Sequence, residues 1–168
     1  MKEYASDKIR NIAVLSHDGA GKTAVVESLL LACGAVPAVG VGKDNKHIMD
    51  FEPEEIKRNV TIQLGIAPCE WDGHKLNFLD TPGYSEFCGE VRAALRACDG
   101  ILLVVSAETG IEMDTERAWD YGVELQLPRM IYINKMDVEH ADFFGTLEKM
   151  RSVFGKSIMP LQIPIGEG

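Results

Sequence analysis

The stretch SHDGAGKT, residues 16–23, sets Gly, Lys and Thr at the spacing a phosphate cradle needs. Gly19, Ala20 and Gly21 are small enough for backbone N–H groups to wrap an anion, and a helix starting there adds the partial positive charge of its N-terminus. Lys22 would reach the β- and γ-phosphates of a nucleotide, and the Thr23 hydroxyl would hold Mg²⁺. Ser16, His17, Asp18 and Ala24 complete the candidate loop, with Ser16 where such a loop usually opens on glycine. Serine is small, so this is a modest departure.

Two more short motifs follow. In DTPG, residues 80–83, Asp80 can hold Mg²⁺ through water and the Gly83 N–H can bind a γ-phosphate, with Thr81 and Pro82 shaping the turn and Tyr84 next in line. In NKMD, residues 134–137, Asp137 suits guanine, because a carboxylate accepts from both the N1 and N2 donors and would repel adenine. Asn134 can brace the loop and meet the purine edge, the Lys135 stem can pack on the ring, and Met136 lies between them and Asp137. Either tetrapeptide alone is commonly a plain turn. Three such motifs, in this order and each after an expected strand, read as one nucleotide site.

The elements that must position these loops alternate. IRNIAVLS (9–16) reads as a strand, and the helix that follows stops at Gly34. Residues 35–59 are rich in Gly, Pro and charge and read as a functional loop. Residues 60–71 and 74–80 read as two strands joined by the hairpin turn WDGH. A helix is expected over 85–100, a fully buried strand over 101–107, a helix over 114–125, a strand over 129–135 and a helix over 139–155; residues 158–166 close the chain in extended form. This order implies an α/β fold with a mainly parallel sheet, one antiparallel strand from the hairpin, and helices on both faces. Ligands then bind outside the carboxyl ends of the strands, at the loops after residues 15, 79, 105 and 133.

Composition narrows the partners. The chain has 168 residues, a formal net charge of −9, 46% hydrophobic and 26% charged residues, which fits one globular domain. An acidic surface disfavours direct DNA binding. No apolar run is long enough to span a bilayer, no stretch resembles a signal peptide, and a cytoplasmic monomer is expected. Cys33, Cys69, Cys88 and Cys98 form no C-x-x-C pair and read as reduced, mostly buried thiols. His17, His47, His74 and His140 lack metal-ligand spacing and read as surface or loop residues. Trp71 and Trp119 read as core or sheet-end packing, and EPEEIKR as a solvated loop or helix start.

The motifs resemble those of the translational GTPases, and within them elongation factor G and its paralogues. The likeness includes KIRNIAV, EEIKRNVTI, DTPGYSEF, ERAW, LPRMIYINKMD and PLQIPIG. It implies a P-loop GTPase fold binding GTP or GDP with Mg²⁺, in a multidomain factor that docks on the ribosome. Thr61 matches the switch threonine that coordinates Mg²⁺ and senses the γ-phosphate, so that hydrolysis would release residues 35–60. Arg58 matches the family's switch arginine. Residues 1–168 would then be one GTPase-domain fragment that stops before the last guanine loop, the final strand and helix, and later domains; the Ser-Ala pair at 106–107 precedes NKMD and cannot be that loop.

The family's second switch reads D-T-P-G-H, and its histidine positions the attacking water. Tyr84 stands there instead, and a phenol is a poor base near pH 7. Asp18 and Gly19 replace an apolar residue and Asp. Lys22, Gly83 and Tyr84 are thus the candidate catalytic residues, Thr23, Thr61 and Asp80 the candidate Mg²⁺ ligands, and slow intrinsic hydrolysis is expected. Competing readings are a guanine-nucleotide module with negligible hydrolysis, an ATP-using P-loop enzyme, and a ribosome-protection or release-factor GTPase.

Overall fold

The computed structural model describes residues 2–38, 48–58 and 60–165. Among the described residues five strands form one sheet: β1 (Ile9–Leu15), β2 (Gly65–Trp71), β3 (His74–Asp80), β4 (Gly100–Ser106) and β5 (Arg129–Asn134). Their order across the sheet is β2-β3-β1-β4-β5. β1 runs parallel to β3 and β4, β4 runs parallel to β5, and β2 alone is antiparallel, hairpinned onto β3. Asp72 and Gly73 make that hairpin with φ of 46° and 72°, the left-handed pair that matches the twist of the flanking strands. This is the mixed, mainly parallel sheet expected from the alternation of elements.

Side chains alternate across the sheet with period two, so the central strands β1, β3 and β4 feed two cores. Ala13, Leu15, Leu79, Leu103 and Val105 bury themselves under α3 (Cys88–Ala97), α4 (Met113–Glu124) and α5 (Phe143–Phe154), with Leu95, Ala118, Leu147 and Met150. Val14, Phe78, Leu102 and Val104 face the opposite way, against Val26 and Leu30 of α1 (Lys22–Ala32). β4 is buried on both faces from Ile101 to Ser106, which explains its unbroken apolar run. Each such fully buried Leu or Val contributes about 1.5–3 kcal/mol.

Several expectations shift at their edges. The strand expected from residue 60 begins at Gly65. The long loop contains a short helix, α2 (Pro53–Arg58), while its residues 39–47 and 59, His47 among them, lie outside the described residues. A 3-10 turn at Ser85–Phe87 precedes α3. Helix α5 starts only at Phe143, because the Asp142 side chain caps it by accepting from the Gly145 N–H at 2.8 Å. Residues 158–165 carry no strand. The cysteines are less buried than expected: Cys69 is buried, Cys33 and Cys98 partly so, and Cys88 is exposed at the first position of α3. Trp71 is 56% exposed at the end of β2, whereas Trp119 stacks on Phe154 with ring centroids 4.5 Å apart. Among the described residues no helix is long and apolar enough to cross a membrane.

Candidate nucleotide site

The parallel strands β1, β3, β4 and β5 all deliver their carboxyl ends to one edge of the sheet, and all three motifs begin there. After β1 the chain turns through Gly19 and Gly21, at φ of 75° and 89°, before α1 starts at Lys22. These values lie in the left-handed region, where glycine carries no steric penalty. No side chain caps α1, so its first N–H groups stay available to an anion. Gly21 is needed for a second reason: a Cβ there would sit 2.5 Å from Asn134 Nδ2. That amide donates to the Ala20 carbonyl at 2.9 Å and so braces the phosphate loop from the end of β5.

Lys22 is buried, and its ammonium donates to the His17 carbonyl at 3.0 Å. Burial lowers its pKa, while the Asp80, Asp18 and Asp114 carboxylates oppose that shift. Asp80 is fully buried at the end of β3. The Thr81 hydroxyl donates to the Val14 carbonyl at 2.7 Å, tying the DTPG turn to β1. Gly83 then runs directly against the phosphate loop. A Cβ at Gly83 would fall 2.6 Å from Lys22 Nζ and 2.7 Å from Asp18 Cα. Pro82 is buried beside it, while Tyr84 is exposed, and the Asp18 carboxylate near it raises the pKa of the phenol.

Thr61 also reaches the phosphate loop. Its hydroxyl lies 3.2 Å from that of Thr23 and donates to Asp50 Oδ1 at 3.0 Å. Two cis oxygens in an octahedral Mg²⁺ shell, each about 2.1 Å from the metal, lie about 3 Å apart. The spacing and hard-oxygen chemistry of this pair fit Mg²⁺. Asp80 enters the same neighbourhood through its electrostatic contact with Lys22.

His17 is more than a loop residue. It is buried at 2% exposure, with Nδ1 2.8 Å from Thr115 Oγ1 and Nε2 3.2 Å from Thr109 Oγ1. Burial is the largest influence on its pKa and lowers it, Lys22 and Lys135 add to that, and Glu112 and Asp18 oppose it. The imidazole is therefore neutral at pH 7 and anchors the phosphate loop to α4. Ser16 is buried too, and its hydroxyl has no protein partner among the described residues; it lines a cavity of about 30 Å³ beside Gly83, large enough for one water.

The NKMD motif is looser. Lys135 has φ of 58° and places its ammonium 3.8 Å from Glu108. The loop after β4 is tied to this end of the sheet, the Ala107 N–H donating to the Asn134 carbonyl at 2.8 Å. Met136 is half-buried and Asp137 exposed. Arg58 pairs with Glu54 on the surface, and no contact among the described residues brings it to the phosphate loop.

Three residues with a part in the arrangement escaped sequence reasoning. Asp50 holds Thr61. Glu55, inside the run read as solvated, is buried and accepts from the N–H groups of Glu52, Ile62 and Gln63 at 3.0, 2.8 and 3.0 Å. Burial alone would raise its pKa, but these N–H donors outweigh it and the net shift is downward. Glu27 of α1 is buried and accepts from the Ile48 and Met49 N–H groups. A carboxylate beside a β-branched, strand-like run is a faint signal at best, since the sequence does not show which N–H groups lie near it.

A glycine-bearing loop opening a helix at a strand's end, with a second strand-end turn pressed on its lysine, defines a P-loop nucleotide-binding domain. The chain matches the elongation factor Tu GTP binding domain over residues 7–163 and belongs to that family. It is also similar to a protein of solved crystal structure from Thermus thermophilus, at 40% identity and a TM-score of 0.89, covering 96% of this chain. The chain spans 24% of that protein's length.

Proposed function

We propose that this chain is the GTP-switch domain of an elongation factor G-like translation factor that works on the ribosome. The observation that carries the reading is the meeting of Thr61 with Thr23, 3.2 Å apart, because it joins the first switch to the phosphate loop at a pair of hard oxygen donors. Mg²⁺ held by Thr23 and Thr61, with Asp80 through water, would neutralise charge on the β- and γ-phosphate oxygens. Lys22 supplies a buried cation to the same oxygens, and the N-terminus of α1 adds its unpaired N–H groups. The Gly83 N–H takes the γ-phosphate. Asn134, Lys135 and Asp137 take the guanine, with Asp137 accepting from N1 and N2.

Hydrolysis requires a positioned water. Tyr84 holds the place of the family's histidine, and the nearby Asp18 carboxylate raises the pKa of its phenol. With its pKa raised, the phenol stays protonated near neutrality and can orient water but not remove its proton. Intrinsic turnover is therefore slow, and ribosome docking would have to supply the missing order. The same observation favours a second reading, a guanine-nucleotide module without useful hydrolysis.

Phosphate release by the full-length protein, with and without ribosomes, separates the two. Ribosome-stimulated release supports the switch GTPase. Release at background in both arms, with GTP bound, leaves the binding module.

A further inference from the structure

Away from the nucleotide site, Cys33 and Cys69 bring their sulfurs to 3.3 Å. Cys33 caps the C-terminus of α1 and is partly exposed; Cys69 lies in the edge strand β2 and is buried at 4% exposure. Both belong to the apolar cluster between α1 and the β2-β3 hairpin. Both thiols are free. A disulfide needs its sulfurs about 2.05 Å apart, so closure requires them to approach by about 1.3 Å. The hosts can give that much: Cys33 is followed by Gly34 at φ of 69°, where the helix has ended, and β2 is paired on one side only.

We propose that Cys33 and Cys69 are a redox pair that forms an intramolecular disulfide when a hydroperoxide reaches Cys33. Cys33, the more exposed, attacks the peroxide, becoming a sulfenic acid as one water leaves. The Cys69 sulfur then attacks Cys33 Sγ, its proton passes to the departing hydroxyl, and a second water is lost. Two thiols and one hydrogen peroxide give one disulfide and two waters. In the reduced protein the Cys69 thiol is pushed up to about 12, first by burial and then by its contact with Cys33, which leaves the more exposed Cys33 to meet the peroxide first.

The consequence follows from position. The two cysteines lie 36 positions apart, and the chain between them carries Asp50, Glu55 and Thr61. The bond would close that whole first-switch segment at its root. Cys88, exposed on α3, and Cys98 lie outside the closed segment and serve as controls.

The test is hydrogen peroxide treatment of the Cys88→Ser/Cys98→Ser protein, followed by peptide mass mapping and thermal unfolding. The expected result is one cross-linked peptide pair joining Cys33 to Cys69, lighter by two hydrogens. Tm should rise by about 10 °C, as closure of a loop this long predicts. Dithiothreitol should reverse both, and adding Cys33→Ser should abolish both. Sulfinic acid at Cys33 without a cross-link, or intermolecular dimers only, would overturn the proposal. So would a cross-link that leaves Tm unchanged or lowered, since the pair would then not close a native contact.

Discussion

The segments around Thr61 and Gly83, both beside the phosphate loop, are ordered by different means. The second is pinned by proximity: Thr81 is tied to β1 at 2.7 Å, and Gly83 leaves no room for a methyl group beside Lys22 and Asp18. The first is held by buried carboxylates that gather backbone N–H groups: Glu27 takes Ile48 and Met49, Glu55 takes three N–H groups, and Asp50 takes the Thr61 hydroxyl. Contacts of the first kind follow the strand they sit on. Contacts of the second kind can be exchanged one by one, for water or for a ligand oxygen. In the proposed switch domain, the segment around Thr61 would then be the one suited to ordering and release, and the turn at Gly83 the one suited to reading the γ-phosphate at close range.

The sharpest way to break this comparison is Gly83→Ala. The new methyl would meet backbone as well as the Lys22 ammonium, and we expect stability to fall by about 3 kcal/mol, the upper end of overpacking costs. An unchanged denaturation midpoint would mean the second switch is not pinned. Next comes Lys22→Ala, which should weaken GTP and GDP alike by roughly 100-fold, the scale of a charge-assisted contact. Equal affinities in mutant and parent would remove Lys22 from the phosphate site.

Glu55→Ala should cost about 2 kcal/mol, because three N–H groups lose their acceptor. Hydrogen exchange should quicken at Ile62 and Gln63 and stay unchanged at Leu79 and Asp80. Equal quickening in both regions would erase the distinction between them.

The smallest effect concerns pH. The His17 pKa is depressed by folding, so the unfolded chain binds the proton more readily, and stability should fall as pH drops below 6.5. The groups facing that ring are Thr109, Glu112, Thr115, Lys22, Lys135 and Asp18. His17→Gln should flatten the slope between pH 7 and about pH 5.5 in urea titrations; an unaltered slope would place the titration elsewhere.

Much of this was legible in the sequence, and the rest for a common reason was not. The apolar run of β4 and the Gly-Lys-Thr at a helix start are local signals, and they fold as local signals predict. VTIQL, residues 60–64, looks equally like a strand, yet the N–H groups of Ile62 and Gln63 go to Glu55 and that of Leu64 goes to Glu90 of α3 at 3.1 Å. Carboxylates of α2 and α3, seven to 26 positions away, took the donors a strand partner would need. His17 looked like a loop histidine because Thr109 and Thr115, which bury it, lie more than 90 positions away. Cys33 and Cys69 likewise showed no motif. Tertiary contacts, not propensity, placed each of these groups.

The central claim, a guanine-selective site built from SHDGAGKT, DTPG and NKMD, is tested most directly by equilibrium titration with fluorescent GDP in Mg²⁺, competed by GTP, ATP and XDP, on the parent and on Asp137→Asn. The account predicts displacement by GTP and not by ATP in the parent, and a shift of preference to XDP in the variant. ATP competing as well as GTP, or GDP affinity surviving Asp137→Asn, would contradict it.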